Sequence, residues 1–302
     1  METRDTLPFV SVIVPARNEE ATIGDCLQSL KALHYPPGKL EIIVVDNGSQ
    51  DRTYEIALQY GVKVVQELKT FTCAAAKNRG ILEAKGEVIA FIDADAVADR
   101  YWLINALNCM EQNQADIVGG SIIPLHNIPP SWWEIYDILF AYDQEKFIRE
   151  LHFTAGVNTI ARYKVFEKVG LFKSELHWSE DMEWGQRAYR SGAKIIFCPE
   201  AVVYHVVKKS WGELYNRAWK EGFYWAQKCK EEQKTFMEAL RWRFMLSPGL
   251  RAIIRRKLQR GHYRFGQTGM MLLLHNALKI PRLMGVLAAY LGGSIKAGGA
   301  SK

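Results

Sequence analysis

The sequence predicts an α/β fold in which a mainly parallel, Rossmann-like sheet is flanked by helices and followed by a basic, apolar helical appendage. Short β-branched runs alternate with helical segments between Phe9 and Ile92, the pattern of a parallel sheet covered on both faces. Charge is also split along the chain. Residues 241–302 hold 12 of the 39 Lys and Arg and no acid, which leaves 27 basic against 33 acidic residues before them, a net of −6 hidden by the overall +6. A chain of 302 residues has room for one large core plus an appendage, and the composition predicts the division 1–232 and 233–302.

Taken in order, Phe9-Val10-Ser11-Val12-Ile13-Val14 is the first strand and ends in the polar turn Pro15-Ala16-Arg17-Asn18-Glu19-Glu20. Leu40-Glu41-Ile42-Ile43-Val44-Val45 is the second and ends in Asp46-Asn47-Gly48-Ser49. The third, Val62-Lys63-Val64-Val65, leads to a helix predicted over 74–84. A fourth strand after Gly86 runs into Asp93-Ala94-Asp95. Ligands of such sheets bind beyond the carboxyl ends of the strands, so one rim gathers Asn18, Glu19, Asp46, Asp93 and Asp95. Asp46-Asn47-Gly48 also reads as a simple tight turn, because Asn and Gly tolerate positive φ.

Further along, Trp132-Trp133 reads as packing or interface material, and Gly156 as a point of close backbone approach, assigned to an acceptor. Ser179 is placed to cap a helix whose first turn carries Glu180 and Asp181, although acids there compensate a helix dipole in any case. His205 ends the apolar run Ala201-Val202-Val203-Tyr204. Asp93 and Asp95 carry the sharpest chemical signal. Side chains at i and i+2 of an extended chain share a face, so these carboxylates repel unless an oxygen-preferring cation, Mn²⁺ or Mg²⁺, lies between them and a phosphate. A solvated acidic turn is the simpler alternative.

Val12-Ile13-Val14-Pro15-Ala16-Arg17-Asn18-Glu19, Asp46-Asn47-Gly48-Ser49, Asp93-Ala94-Asp95 and Glu180-Asp181, in this order and spacing, resemble family 2 glycosyltransferases of the GT-A fold over most of residues 8–206. The resemblance implies transfer of a sugar from a nucleotide-diphosphate donor to a hydroxyl acceptor in a single inverting displacement. It implies that Pro15, Ala16, Asn18, Glu19, Gly48 and Ser49 line the nucleoside pocket, with Asp46 accepting a hydrogen bond from the base. Lys77 and Arg79 reach the diphosphate, Asp93 touches the ribose or the metal, Ala94 belongs to the nucleotide-sugar pocket, Asp95 with Asp93 and His205 ligates the metal, and Asp181, beside Glu180, is the base. A helix N-terminus and a nearby cation both lower a carboxylate pKa, so the proton is expected to move late. A haloacid-dehalogenase-type phosphatase with Asp93 as nucleophile is the alternative enzyme class, and a non-catalytic membrane-bound assembly protein is the alternative outside catalysis.

The acid-free end of the chain points to a partner. Arg241, Arg243, Arg251, Arg255, Arg256, Lys257, Arg260 and Arg264 precede the apolar stretches 270–274 and 283–291, and basic clusters beside apolar helices suit anionic membrane surfaces. His275, Asn276, Lys279, Pro281 and Arg282 interrupt the apolar residues, so each half alone is shorter than the ~20 residues of a bilayer span, and interfacial helices are expected. A helical layer packed on the catalytic domain is the other reading. No aromatic reader motif accompanies the arginines, so nucleic acid is not expected as a partner. Neither a dinucleotide glycine fingerprint nor a phosphate-loop motif occurs, which argues against redox and NTPase functions. Five widely spaced cysteines without a Cys-x-x-Cys pair and a first apolar run too short for a secretory signal predict a cytoplasmic enzyme at the inner face of the cell membrane, with a glycan or lipid-linked acceptor.

Overall fold

The computed structural model describes residues 7–244 and 266–292. The chain divides into two compact units, Met1–Leu125 with Asp143–Val206, and His126–Tyr142 with Val207–Lys302. The predicted boundary at 232/233 therefore shifts to 206/207, and residues 126–142 leave the first unit. Packing explains the shift: Ile135, Tyr136 and Leu139 bury against Leu214, Ala218, Met271, Leu274 and Leu278 in one apolar cluster.

The first unit is built on one sheet. Its strands are β1 (Val10–Ala16), β2 (Leu40–Asp46), β3 (Lys63–Gln66), β4 (Val88–Phe91), β5 (Ala96–Ala98), β6 (Ile117–Leu125), β7 (Thr159–Arg162) and β8 (Ile195–Val206), in the order β3-β2-β1-β4-β7-β6-β8-β5. The first four predicted strands are present and mutually parallel. The remainder is mixed: β7 runs antiparallel to β4 and β6, β8 parallel to β6, and β5 antiparallel to β8. Helices α1 (Ile23–Lys31), α2 (Thr53–Gln59), α3 (Cys73–Glu83), α4 (Trp102–Gln112), α6 (Gln144–Leu151), α7 (Tyr163–Val169) and α8 (Glu180–Arg190) complete this unit. Ile13, Ile43, Phe91, Ile117, Ala161 and Trp184 lie in one core cluster, so the β-branched runs that mark the strands also fill the interior.

Register fixes the rim. Ala16 lies opposite Asp46, and Asp46 opposite Gln66, while Phe91 lies opposite both Ile13 and Thr159. The carboxyl ends of β1 to β4 are thus level with the amino end of the reversed β7, and the 3₁₀ turn Gly156–Asn158 before β7 joins the same rim. Asn158, fully buried, pins that turn. Its Oδ1 accepts the Trp102 indole N–H at 2.8 Å and its Nδ2 donates to the carbonyls of Ser121 and Ala201 at 2.8 and 2.9 Å. Gln144 Nε2 donates to the Asn158 carbonyl at 2.9 Å.

The second unit is helical among the described residues: α5 (Trp132–Phe140), α9 (Trp211–Glu231), α10 (Phe236–Phe244), α11 (Gly266–Ala277) and α12 (Lys279–Tyr290). Capping boxes at Ser131/Glu134 and Ser210/Glu213 start α5 and α9. Trp133 packs beside Trp211, with ring centroids 5.7 Å apart, which makes it packing material, whereas Trp132 is exposed. Buried ion pairs cross-link the helices: Asp137 pairs with Arg217, and Glu221 with Arg282 at 2.9 Å. Together α11 and α12 supply Gly269–Tyr290, 22 residues of mean hydropathy 1.2, long and apolar enough to cross a membrane by length and composition. Counted from the sequence, each half alone was too short; the two helices are separated only by Leu278. A helix packed in a globular core meets the same two criteria, and 39% of an 18-residue stretch of this segment is buried. Of the predicted basic cluster, Arg251, Arg255, Arg256, Lys257, Arg260 and Arg264 lie outside the described residues, as does the side-chain placement of Arg241 and Arg243 on α10.

Candidate active site

Beyond β4 the chain carries Asp93, buried Ala94 and Asp95 before entering β5, where Ala96 lies opposite His205 of β8. That register brings three potential ligands of two types together. His205 Nε2 is 3.2 Å from Asp95 Oδ1, and one donor atom from each of Asp93, Asp95 and His205 lies within 4.8 Å of the others. Burial first, and the neighbouring charge of Asp95 second, push Asp93 up to about 6. A divalent cation between the carboxylates would remove that penalty, and two carboxylates with one imidazole fit Mn²⁺ or Mg²⁺ in donor chemistry.

The turns after β1 and β2 meet beside this cluster. Asn18 adopts a left-handed conformation, φ 57°, in which its N–H donates to Ser49 Oγ at 3.0 Å and its Oδ1 accepts the Gln50 N–H at 2.8 Å. The Glu19 N–H donates to Thr53 Oγ1 at 2.7 Å, and its carboxylate accepts from Thr22 at 2.9 Å. Asn18 and Glu19 therefore knit the two turns together, a task the sequence reading did not assign them. Pro15 and Ala16 are the last residues of β1, level with Val45 and Asp46. Asp46 is buried, and among the described residues its oxygens accept long bonds, from the Ser49 N–H at 3.3 Å and Gln66 Nε2 at 3.4 Å. A carboxylate has about four acceptor positions, so capacity remains for a base N–H. Gly48 has φ +71° and lies under the Phe71 ring, where a Cβ would stand 2.6 Å from a ring carbon. Cys26, buried beneath the rim, is pushed up by burial first and then by Asp95, Asp93 and Glu19, which places those acids around one point.

Two basic residues expected at the diphosphate pair with acids of the chain. Lys77 is drawn to the acids of α8. It is buried, its Nζ 2.5 Å from Asp181 Oδ1 and 3.1 Å from Glu180 Oε1, so the acids that open α8 offset its interior ammonium. Burial works against the ammonium, but Asp181, Cys73, Glu180 and Asp93 outweigh it and hold Lys77 well above the ordinary lysine range. Arg79, half-exposed, pairs with Glu83 at 2.8 Å, and Glu83 also binds Lys63 at the amino end of β3. That is the end of the sheet opposite the acidic rim.

The base position differs in detail as well. Ser179 does precede α8, but it sits at φ 63° and makes no side-chain cap bond. Asp181 is held instead by Lys77 and by the Gly156 N–H, which donates to its Oδ2 at 2.7 Å. Burial raises the Asp181 pKa and outweighs Lys77, and this makes Asp181 the better proton acceptor. Gly156 thus approaches the acid and its lysine. A Cβ there would lie 2.8 Å from both Asp181 carboxylate oxygens and would collide with Lys77 Nζ. Gly156→Ala is expected to lower kcat by about 10²-fold through displacement of Asp181, and to lower the melting temperature because the added Cβ crowds the buried Lys77–Asp181 pair; steady-state kinetics and a thermal melt check both.

Sequence reading missed Asn78, which pairs with Phe172 as a backbone would: its Nδ2 donates to the Phe172 carbonyl at 2.8 Å and its Oδ1 accepts the Phe172 N–H at 2.9 Å. Thr72 donates to the Ser174 carbonyl at 2.7 Å. Together they fasten the segment before α8 to α3. An Asn inside a helix, flanked by Lys77 and Arg79, was the available signal.

Residues 11–170 match glycosyl transferase family 2. The glycosyltransferase AglE of Haloferax volcanii is 32% identical over 72% of this chain and 73% of its own length. The poly(ribitol-phosphate) beta-glucosyltransferase of Bacillus spizizenii is 27% identical over 72% of this chain, which spans 35% of that protein. Among solved structures, the mannosyltransferase PcManGT of Pyrobaculum calidifontis, in complex with GDP-Man and Mn²⁺, superposes with a TM-score of 0.65 at 19% identity, over 96% of this chain and 89% of that one. At that identity the superposition establishes a shared GT-A fold.

Proposed function

Because the chain belongs to glycosyl transferase family 2, we propose that it moves a sugar from a nucleotide-diphosphate donor to a hydroxyl acceptor with inversion at the anomeric carbon. The observation that carries this reading is the meeting, on one rim, of a metal-compatible Asp93–Asp95–His205 set with an Asp181 whose pKa is raised. Asp93, Asp95 and His205 would hold the divalent ion, which when bound supplies Lewis-acid stabilisation of the leaving diphosphate. Asp46 and the Asn18–Ser49 turn pair bind the nucleoside. Asp181 takes the acceptor proton as the acceptor oxygen bonds to the anomeric carbon and the bond to the β-phosphate oxygen breaks. Lys77 and the Gly156 N–H aim the carboxylate. A phosphatase using Asp93 as nucleophile is disfavoured by family membership and leaves Asp46 and Asp181 without roles.

The acid-free basic end of the chain supports a membrane-proximal acceptor, glycan or lipid-linked, at the inner face of the cell membrane. Peripheral attachment is favoured over a span. Crossing by Gly269–Tyr290 would set Lys279 at mid-bilayer, at a cost of about 2.5–3.5 kcal/mol, and would strip Arg282 from Glu221. The test is donor turnover: the purified chain incubated with UDP- and GDP-sugars and Mn²⁺ should release the nucleoside diphosphate, and chelation by EDTA should reduce the rate to background. Absence of release with every donor would favour the non-catalytic assembly protein; chelator-insensitive release would exclude the metal role.

A further inference from the structure

Residues 269–291 are apolar on two opposite faces. The inner face, with Leu274, Leu278, Val286 and Ala289, is buried in the second unit. Gly222 of α9 and Gly285 of α12 allow close packing there, since a Cβ on either would strike the partner helix's backbone. The outer face carries Leu273, Ile280, Met284, Leu287 and Leu291, with Leu273 66%, Ile280 61% and Leu291 84% exposed. At the helical repeat these five fall within an arc of about 60° and run for ~27 Å. An exposed apolar stripe of this length opposite a packed face marks a surface that something covers.

Charge identifies the cover. Within 269–290 the only charged side chains are Lys279 and Arg282, and residues 239–302 contain no acid. Arg282 is turned inward to Glu221 at 2.9 Å. A second copy of the chain laid along this stripe would set cation against cation, with no acid near the seam of the kind that pairs helices. An anionic lipid surface offers both an apolar layer and the opposite charge. We propose that the Leu273–Leu291 stripe lies in the plane of an anionic membrane, inserted to the depth of its side chains, with the cations of 239–302 supplying attraction to the headgroups. This rests on the membrane-surface reading above and names the face that makes the contact.

The experiment is flotation of the full chain with vesicles of equal parts phosphatidylcholine and phosphatidylglycerol, against phosphatidylcholine alone. Wild type is expected to float with the anionic vesicles and to be released by salt. A variant combining Leu273→Gln, Ile280→Gln, Leu287→Gln and Leu291→Gln is expected to lose at least ~10-fold in partitioning, with an unchanged melting temperature, since all four side chains are solvent-facing. Single changes at Leu273 and Leu291 should each lose about threefold, which keeps the test valid if the combined variant misfolds. Undiminished flotation of the variants would overturn the proposal. So would a wild-type dimer in sedimentation that the variants convert to monomer without flotation by either. Nucleoside diphosphate affinity, measured on the same proteins, should be equal in all of them, so loss of that binding in wild type would defeat the catalytic reading while leaving the membrane face standing.

Discussion

Asp181→Asn should lower kcat by about 10²–10⁴ and leave donor affinity nearly unchanged. The amide is nearly isosteric and can still accept the Gly156 N–H, but it cannot take a proton, so the loss should fall on the chemical step. In wild type the rate should decline with falling pH through a pKa above the ordinary aspartate range, because burial disfavours the ionised carboxylate more than Lys77 favours it. Turnover close to wild type in the variant would remove Asp181 from the base role. A kcat–pH profile with an acid limb at ordinary aspartate values would remove the burial argument.

The second large effect is expected at Lys77. Its ammonium is almost fully enclosed and faces two carboxylates. Removing one partner of a buried ion pair typically costs about 3–5 kcal/mol because the other charge is left uncompensated. For Lys77→Met, some solvent access at Asp181 and Glu180 favours the lower end, about 3 kcal/mol, or roughly 6–12 °C in melting temperature for a domain of this size. The sign with pH follows from linkage. Without Lys77 the folded-state pKa of Asp181 rises further above its unfolded value, so the folded variant binds more protons than the unfolded chain in that window. Its stability therefore falls as pH rises through the window and recovers below it, where the acid is neutral in both states. Chemical denaturation of both proteins at acidic and neutral pH should show the deficit shrinking on acidification. A deficit independent of pH would mean that lost packing, not the charge pair, sets the cost. Wild-type stability at neutral pH would mean that Lys77 is not needed to offset the acids.

Much of this site was legible because strand ends are marked in the sequence. The β-branched runs are long enough to fix β1, β2 and β4, and each breaks at a polar residue, so Asp46, Asp93 and Asp95 fell on one rim without coordinates. His205 was attached to that rim by the family resemblance and not by periodicity, because the β5–β8 register that brings it there depends on a three-residue strand that carries no periodic signal. The acid partners of Lys77 went unread because a lysine on a helix is ordinarily solvated; they lie 103 and 104 residues away, and no local pattern reports that distance. Ser179 was misread for the opposite reason. A serine before two acids matches the capping rule, but the structure holds α8 by its Trp184 indole, which donates to the Gly170 carbonyl at 3.1 Å, and by Arg187, which donates to the Leu171 carbonyl at 2.8 Å. The domain boundary followed charge in the sequence and apolar contact in the fold, and α5 belongs with the second unit for that reason.

The central claim is that Asp93, Asp95 and His205 form a cation site that binds a nucleoside diphosphate. Titration calorimetry with UDP and GDP, with and without Mn²⁺, on wild type and Asp95→Asn addresses it directly. The expected result is uptake of one nucleotide that strengthens with Mn²⁺ in wild type and weakens by at least ~10-fold in the variant, as loss of a ligand from a three-residue set requires. Nucleotide binding of equal strength in both proteins, or none in either with the metal present, would contradict it.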